Sequence, residues 1–201
     1  MKINLCPERK DYYSQINNEN NPFSSCNVTS MVAGLDIGKF GLDPILCIPG
    51  YKQAEDKLYH YIETDPAVQA FYKKNFNTGI PAPEWGGVMV YAVNLLYEKK
   101  VVFNDEYLER REIIEDIEKG LPVYTSMRYP ENRNADGKHS PIPGHIVLIV
   151  GIDGDNFIIN DPYKNCLTGG KDGFNNIYTP EDFKRHNKGY GIRYLRAYGM
   201  L

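Results

Sequence analysis

The chain has 201 residues, a length that predicts one domain spanning 1–201, able to bury a core without metal or disulfide support. Its formal net charge of −3 excludes the basic excess of a nucleic-acid binder, so no nucleic-acid partner is expected. The four cysteines, at 6, 26, 47 and 166, are scattered without a C-x-x-C pair. That spacing excludes a dense disulfide scaffold and a clustered zinc site, and no cofactor is expected.

Residues 1–10 lack the apolar centre of a secretory signal, and no stretch reaches the length of a membrane span. A soluble protein is expected, with its compartment and oligomeric state left open. Residues 1–25 are polar and predict an extended or looped segment leading to Cys26. From there Val28, Met31, Val32 and Leu35 recur at i, i+3, i+4 and i+7, which predicts a helix over 26–36 with Cys26 at its start. Two short helices are expected over 51–76, broken at Asp65-Pro66, with Asp65 as cap and Pro66 in the first turn. Pro81-Ala-Pro83 is a rigid connector. A helix over 84–98 is expected to bury Val88, Tyr91, Ala92, Leu95 and Leu96. A charged amphipathic helix over 105–119 carries Leu108, Ile113, Ile114 and Ile117 as its apolar stripe, stops at Gly120 and turns a solvated face outward.

Strands follow. Residues 122–127 read as one, and 146–152 and 157–160 flank Asp153-Gly154-Asp155 as a hairpin. Gly169-Gly170 and Gly173 read as a loop. Thr179-Pro-Glu-Asp182 opens a short helix with capping chemistry, and 191–198 forms a last strand. Helices first and an antiparallel sheet second define an α+β protein.

The chemistry concentrates on Cys26, His145 and Asp161. A helix N-terminus carries about half a positive charge, which favours a thiolate placed there, and an imidazolium beside it favours the thiolate further. The hairpin offers that imidazole a partner. With the turn centred on Asp153, paired residue numbers sum to about 306, which sets His145 opposite Asp161 and turns Asn160 to the other face. Pro162 holds Asp161 extended. Nucleophile, base and orienting carboxylate are then complete. A tetrahedral intermediate needs donors for its oxyanion, and the Cys26 N–H and the Gln15 side chain, eleven residues upstream, are the candidates. Cys6, Cys47 and Cys166 have no such partners and are read as packing or surface thiols. His60, His139 and His186 are read as surface residues. Trp85 and the tyrosines are read as core or surface groups before groove lining.

Five segments carry a resemblance: Tyr13-Ser-Gln15, Cys26-Asn-Val-Thr29-Ser30, Lys119-Gly-Leu-Pro-Val123, Gly144-His145 with the apolar run after it, and Asn160-Asp161-Pro162. In this order they resemble the bacteriocin-processing type of cysteine peptidase and its stand-alone relatives. The resemblance spans roughly residues 11–163. It implies a papain-like fold, a triad of Cys26, His145 and Asp161, and Gln15 in the oxyanion hole. The chain departs from that family where Asn27-Val28 stand in place of Gly-Pro, and residues 50–83 look longer than in a minimal member. The expected function is a thiol hydrolase acting on a peptide or amide bond, with a bacterial or phage cell-wall (peptidoglycan) peptide as an attractive substrate. An acyl transferase of the transglutaminase kind, and a binding module without turnover, are the alternatives.

Overall fold

The computed structural model describes residues 1–76, 81–127, 145–165 and 167–195, and of Lys188 the backbone alone. His139, Gly144, Cys166 and the last residues of the strand expected over 191–198 lie outside them.

The described chain begins with β1 (Lys2–Asn4) and two short 3-10 turns (Arg9–Asp11 and Gln15–Asn17), then enters α1 (Cys26–Ile37). The apolar spacing read from the sequence holds: Val28, Met31, Val32 and Leu35 are fully buried. Each such side chain stabilises the fold by about 1.5–3 kcal/mol. The burial is wider than one stripe, since every residue from Asn27 to Leu35 is buried. A helix enclosed on all sides needs small groups where others come close. Gly34 is one: a Cβ there would lie 1.8 Å from the hydroxyl of Tyr194.

Then come α2 (Asp43–Leu46), α3 (Ala54–Thr64) and α4 (Pro66–Asn75). Asp65 ends α3 and caps α4, accepting from the N–H groups of Ala67 and Val68 at 2.9 and 3.0 Å. Pro81-Ala-Pro83 runs into a 3-10 turn (Ala82–Glu84) ahead of α5 (Gly86–Leu96). The buried side of α5 is Val88, Met89, Ala92 and Val93; Leu95, expected inside, is 40% exposed. The helix expected over 105–119 is shorter. Residues 102–105 form β2 (Val102–Asp105), and α6 runs Arg110–Glu118. Its charged side is not wholly solvated either, because Asp116 is buried and holds Arg193.

The sheet is completed by β3 (Val123–Met127), β4 (His145–Asp153), β5 (Asn156–Asn160), β6 (Asn176–Tyr178) and, after α7 (Pro180–His186), β7 (Asn187–Tyr194). The strand order among the described residues is β2-β7-β3-β4-β5-β6, with β1 paired to the far end of β4, and every pairing is antiparallel. The capping box at Thr179 and Asp182 opens α7 as the sequence predicts. Two cores lie on the two faces of the sheet. Ile146, Leu148 and Val150 of β4 pack with residues of α1, α3 and α5. Val147 and Ile149 pack with Ile113 and Ile117 of α6. The α+β class follows from this arrangement: a helical half carrying α1, laid on an antiparallel sheet.

Candidate active site

α1 and β4 run side by side. Ser30 Oγ lies 3.5 Å from the carbonyl of Ile146, at the beginning of β4. Gly34, one turn further, meets Tyr194, whose strand pairs with β3 at the level of Ile149. Going the other way, Cys26 sits one turn, about 5.4 Å, before Ser30 on the same side of the helix. The start of α1 is thereby directed to the end of the sheet where β4 starts with His145 and β5 has just ended before Asp161.

His145 and Asp161 meet there. Nε2 of His145 lies 2.6 Å from Oδ1 of Asp161, with 4% and 0% of the two side chains exposed. The same oxygen accepts from the N–H groups of Tyr163 (3.0 Å) and Lys164 (3.2 Å). An oxygen taking two backbone donors is an acceptor, so the proton between the pair belongs on Nε2 and the imidazole turns its Nδ1 the other way.

The direct opposition expected of this pair is not what the ladder has, and the difference is physical. Asp153 pairs with Asn156 and Gly151 with Ile158, but Val150 is an extra residue, and beyond it Ile149 pairs with Ile159 and Leu148 with Asn160. Continued, that ladder sets Asp161 across from Val147, a diagonal neighbour of His145. Diagonal neighbours stay within reach of long side chains. The bulge is what makes them neighbours. Without it Asp161 would fall opposite Leu148, and its side chain would leave on the other face of the sheet. Asn160 does turn to that other face: it pairs with Leu148, and its Oδ1 accepts from the N–H of Asn175 at 2.8 Å.

Asp161 is fastened at its backbone too. Its N–H donates to the carbonyl of Gly173 (2.8 Å), and its carbonyl accepts from the hydroxyl of Tyr12 (2.5 Å). Gly173 has to be bare, because a Cβ would lie 1.9 Å from the Asp161 carbonyl oxygen. Burial raises the Tyr12 hydroxyl above the usual tyrosine range, so it stays a donor. The next carbonyl, of Pro162, accepts from the N–H of Gln15 (2.8 Å) and the hydroxyl of Ser14 (3.3 Å). Tyr12 to Gln15 are thus bolted to the Asp161 segment.

Gln15 is 1% exposed. Its Nε2 donates to the carbonyl of Pro22 at 2.9 Å, in the loop that leads to Cys26, and its Oε1 has no hydrogen-bond partner among the described residues. One amide hydrogen is spent on Pro22 and the second remains as a donor. At the helix start Ser25 does not cap with its side chain; its hydroxyl accepts from Asn18 Nδ2 at 2.9 Å, and Asn18 also donates to Thr29 Oγ1. The loop before it hangs on Asp56, whose carboxylate accepts from the N–H groups of Glu19 (3.0 Å) and Asn20 (2.7 Å).

Of the remaining cysteines, Cys6 is buried and Cys47 exposed. His60 is half-buried against the ring of Tyr51, and Trp85 packs on Phe76. Among the described residues no cluster of His, Cys, Asp and Glu has the makings of a metal site. The supporting residues Tyr12 and Gly173 escape a reading of the sequence. They act through a backbone carbonyl and close approach, which leave no periodicity.

A helix opening on a cysteine, laid against an antiparallel sheet that carries a buried His–Asp pair, is the architecture of a papain-like cysteine peptidase. The chain belongs to the family described as Peptidase_C39 like, which matches residues 9–185. That is a family of cysteine peptidases; the bacteriocin-processing subtype is narrower than the match. Among solved structures the chain resembles a crystal structure of a candidate C39-like peptidase from Bacillus anthracis. The TM-score is 0.62 at 16% sequence identity, over 98% of each chain. No curated protein matches the chain. Among the described residues no helix is long and apolar enough to cross a membrane.

Proposed function

We propose that the protein hydrolyses a peptide or amide bond through an acyl-enzyme on Cys26. The observation that carries this reading is the buried 2.6 Å contact of His145 with Asp161, at the sheet end toward which α1 delivers Cys26. With Nε2–H held by the carboxylate, Nδ1 takes the proton of the Cys26 thiol. The sulfur attacks the substrate carbonyl carbon. The negative charge on the carbonyl oxygen is met by the Cys26 N–H at the start of α1 and by the second amide hydrogen of Gln15. Collapse breaks the C–N bond, and the imidazolium gives its proton to the leaving amine. Water, deprotonated by the same imidazole, then releases the acid and restores the thiol. Asp161 holds the tautomer throughout and stabilises the imidazolium.

The substrate proposed is a peptide, and a bacterial cell-wall peptide and a double-glycine leader are the two to try first. Mass spectrometry of digests of both kinds decides. Cleavage by the natural chain, lost in Cys26→Ala, is the expected result. Full cleavage by Cys26→Ala overturns the mechanism. Products carrying an added amine in place of water would make the enzyme an acyl transferase on the same chemistry.

A further inference from the structure

Asn27 follows Cys26 directly and is buried, with 6% of its surface exposed. Its side chain is fixed at both ends. Nδ2 donates to the carbonyl of Pro83 at 2.9 Å, and Oδ1 accepts from the hydroxyl of Tyr124 at 3.1 Å. Tyr124, on β3, is fully buried, and burial raises its hydroxyl well above the usual tyrosine range, so it remains a donor. The same Oδ1 lies 3.9 Å from Sγ of Cys26, within reach of a thiol hydrogen bond. An amide oxygen held there has two physical effects. It accepts the S–H and orients the sulfur, and its partial negative charge opposes a thiolate.

We propose that Asn27 is a positioning residue for Cys26. Its Oδ1, shared between the thiol and the Tyr124 hydroxyl, holds the resting sulfur in one orientation and favours the protonated thiol. Tyr124 sets the strength of that hold, because each hydrogen bond it gives to Oδ1 takes electron density from the one offered to the sulfur. The reading rests on Cys26 being the reactive thiol, but not on what the protein cleaves.

The other ionisable groups on elements packed around α1 are His145 and Asp153 on β4, Glu84 before α5, Tyr91 on α5, and Glu55, Asp56, Lys57, Tyr59, His60, Tyr61 and Glu63 on α3. Tyr194 of β7 reaches α1 at Met31, and on α1 itself Asp36 lies at the far end, accepting from the hydroxyl of Tyr13. Asp56 is taken up by Glu19 and Asn20, Lys57 by the carbonyl of Ile48, and Tyr59 by Asn21. Tyr190 and Tyr194 of β7 also lie close enough to Tyr124 to raise its hydroxyl further; both are neutral tyrosines across the range of the test, and neither side chain is replaced in either variant.

The test is the pH profile of alkylation of Cys26 by iodoacetamide, an uncharged probe, followed by peptide mapping so that the other thiols do not count. Asn27→Ala removes the acceptor, and its profile is expected to move to lower pH by about half a unit, which is about threefold faster on the acid side. Tyr124→Phe keeps the ring and frees Oδ1 for the thiol, so its profile is expected to move the opposite way. Simple loosening of the site would push both variants in one direction, and that result overturns the proposal. Should Asn27→Ala fail to fold, Tyr124→Phe decides alone: slower alkylation supports the proposal, and an unchanged or faster rate overturns it. Unshifted profiles in both variants also overturn the proposal, whether or not cleavage is kept; loss of cleavage in Cys26→Ala is the separate test of the proposed hydrolysis.

Discussion

Asp161 Oδ1 collects three donors, the imidazole Nε2–H and two backbone N–H groups. In Asp161→Ala that acceptor is gone, and with it the hold on the imidazole in its Nε2–H tautomer. The fold should survive, since Tyr12 and Gly173 bind the backbone of residue 161. The expected result is a fall in kcat on the order of 10²–10⁴ with a much smaller change in KM. Steady-state kinetics on the first peptide found to be cleaved would check it. Glu55 is a residue with the opposite character: burial pushes its carboxyl above the usual glutamate range. The folded chain therefore holds that proton to higher pH than the unfolded chain. Stability is lost as pH rises from the unfolded value through the raised folded one, and the loss persists at neutrality. Glu55→Gln should then melt at a higher temperature than the natural chain at neutral pH and at the same temperature at about pH 3. Equal melting at neutral pH would contradict the assignment. At this scale the sequence was informative about which side chains matter and carried only a faint sign of register. Strand parity and the Asp-Pro pair brought 145 and 161 together, but the bulge at Val150 that sets how they meet is marked only by Gly151 beside it, a glycine inside an apolar strand.

Among elements, long periodic helices were legible and short edge strands were not. α1, α3 and α4 were marked by spacing and by Asp65-Pro66. β1, β2 and β6, of three or four residues each, are too short to show alternation, and β2 shares only Asp105 with the stretch that reads as a charged helix. The same stretch holds the strongest ionic cluster among the described residues. Arg193 of β7 reaches Asp116 (2.7 Å) and Glu112 (3.0 Å) on α6, and Asp105 at the end of β2 (3.3 Å). Only 14% of its side chain is exposed. Removing Arg193 takes away the cation that Asp105, Glu112 and Asp116 share, and the largely exposed Lys119, 4.0 Å from Asp116, replaces little of it. Arg193→Ala should destabilise the protein by about 3–5 kcal/mol, read from the denaturant midpoint. A midpoint within error of the natural chain would show the cluster to be solvated after all.

At the scale of the whole molecule, the sheet works as a platform with two separate cores, and the candidate site, as proposed, lies at its end rather than on either face. That position explains how one strand, β4, can pack tightly on both sides and still present His145. It explains too why the N-terminal segment matters: residues 12–22 tie the Asp161 side of the site to the loop before Cys26 through Tyr12, Gln15 and the Pro22 carbonyl. Cooperation between that helix start and that strand end is the central claim, and it can be measured without knowing the substrate. The rate of Cys26 alkylation by iodoacetamide should be followed against pH in the natural chain and in His145→Ala. On this account the natural chain should be alkylated faster on the acid side, with His145 as the base that takes the thiol proton, and His145→Ala should lose that advantage. Superimposable profiles for the two proteins would contradict it.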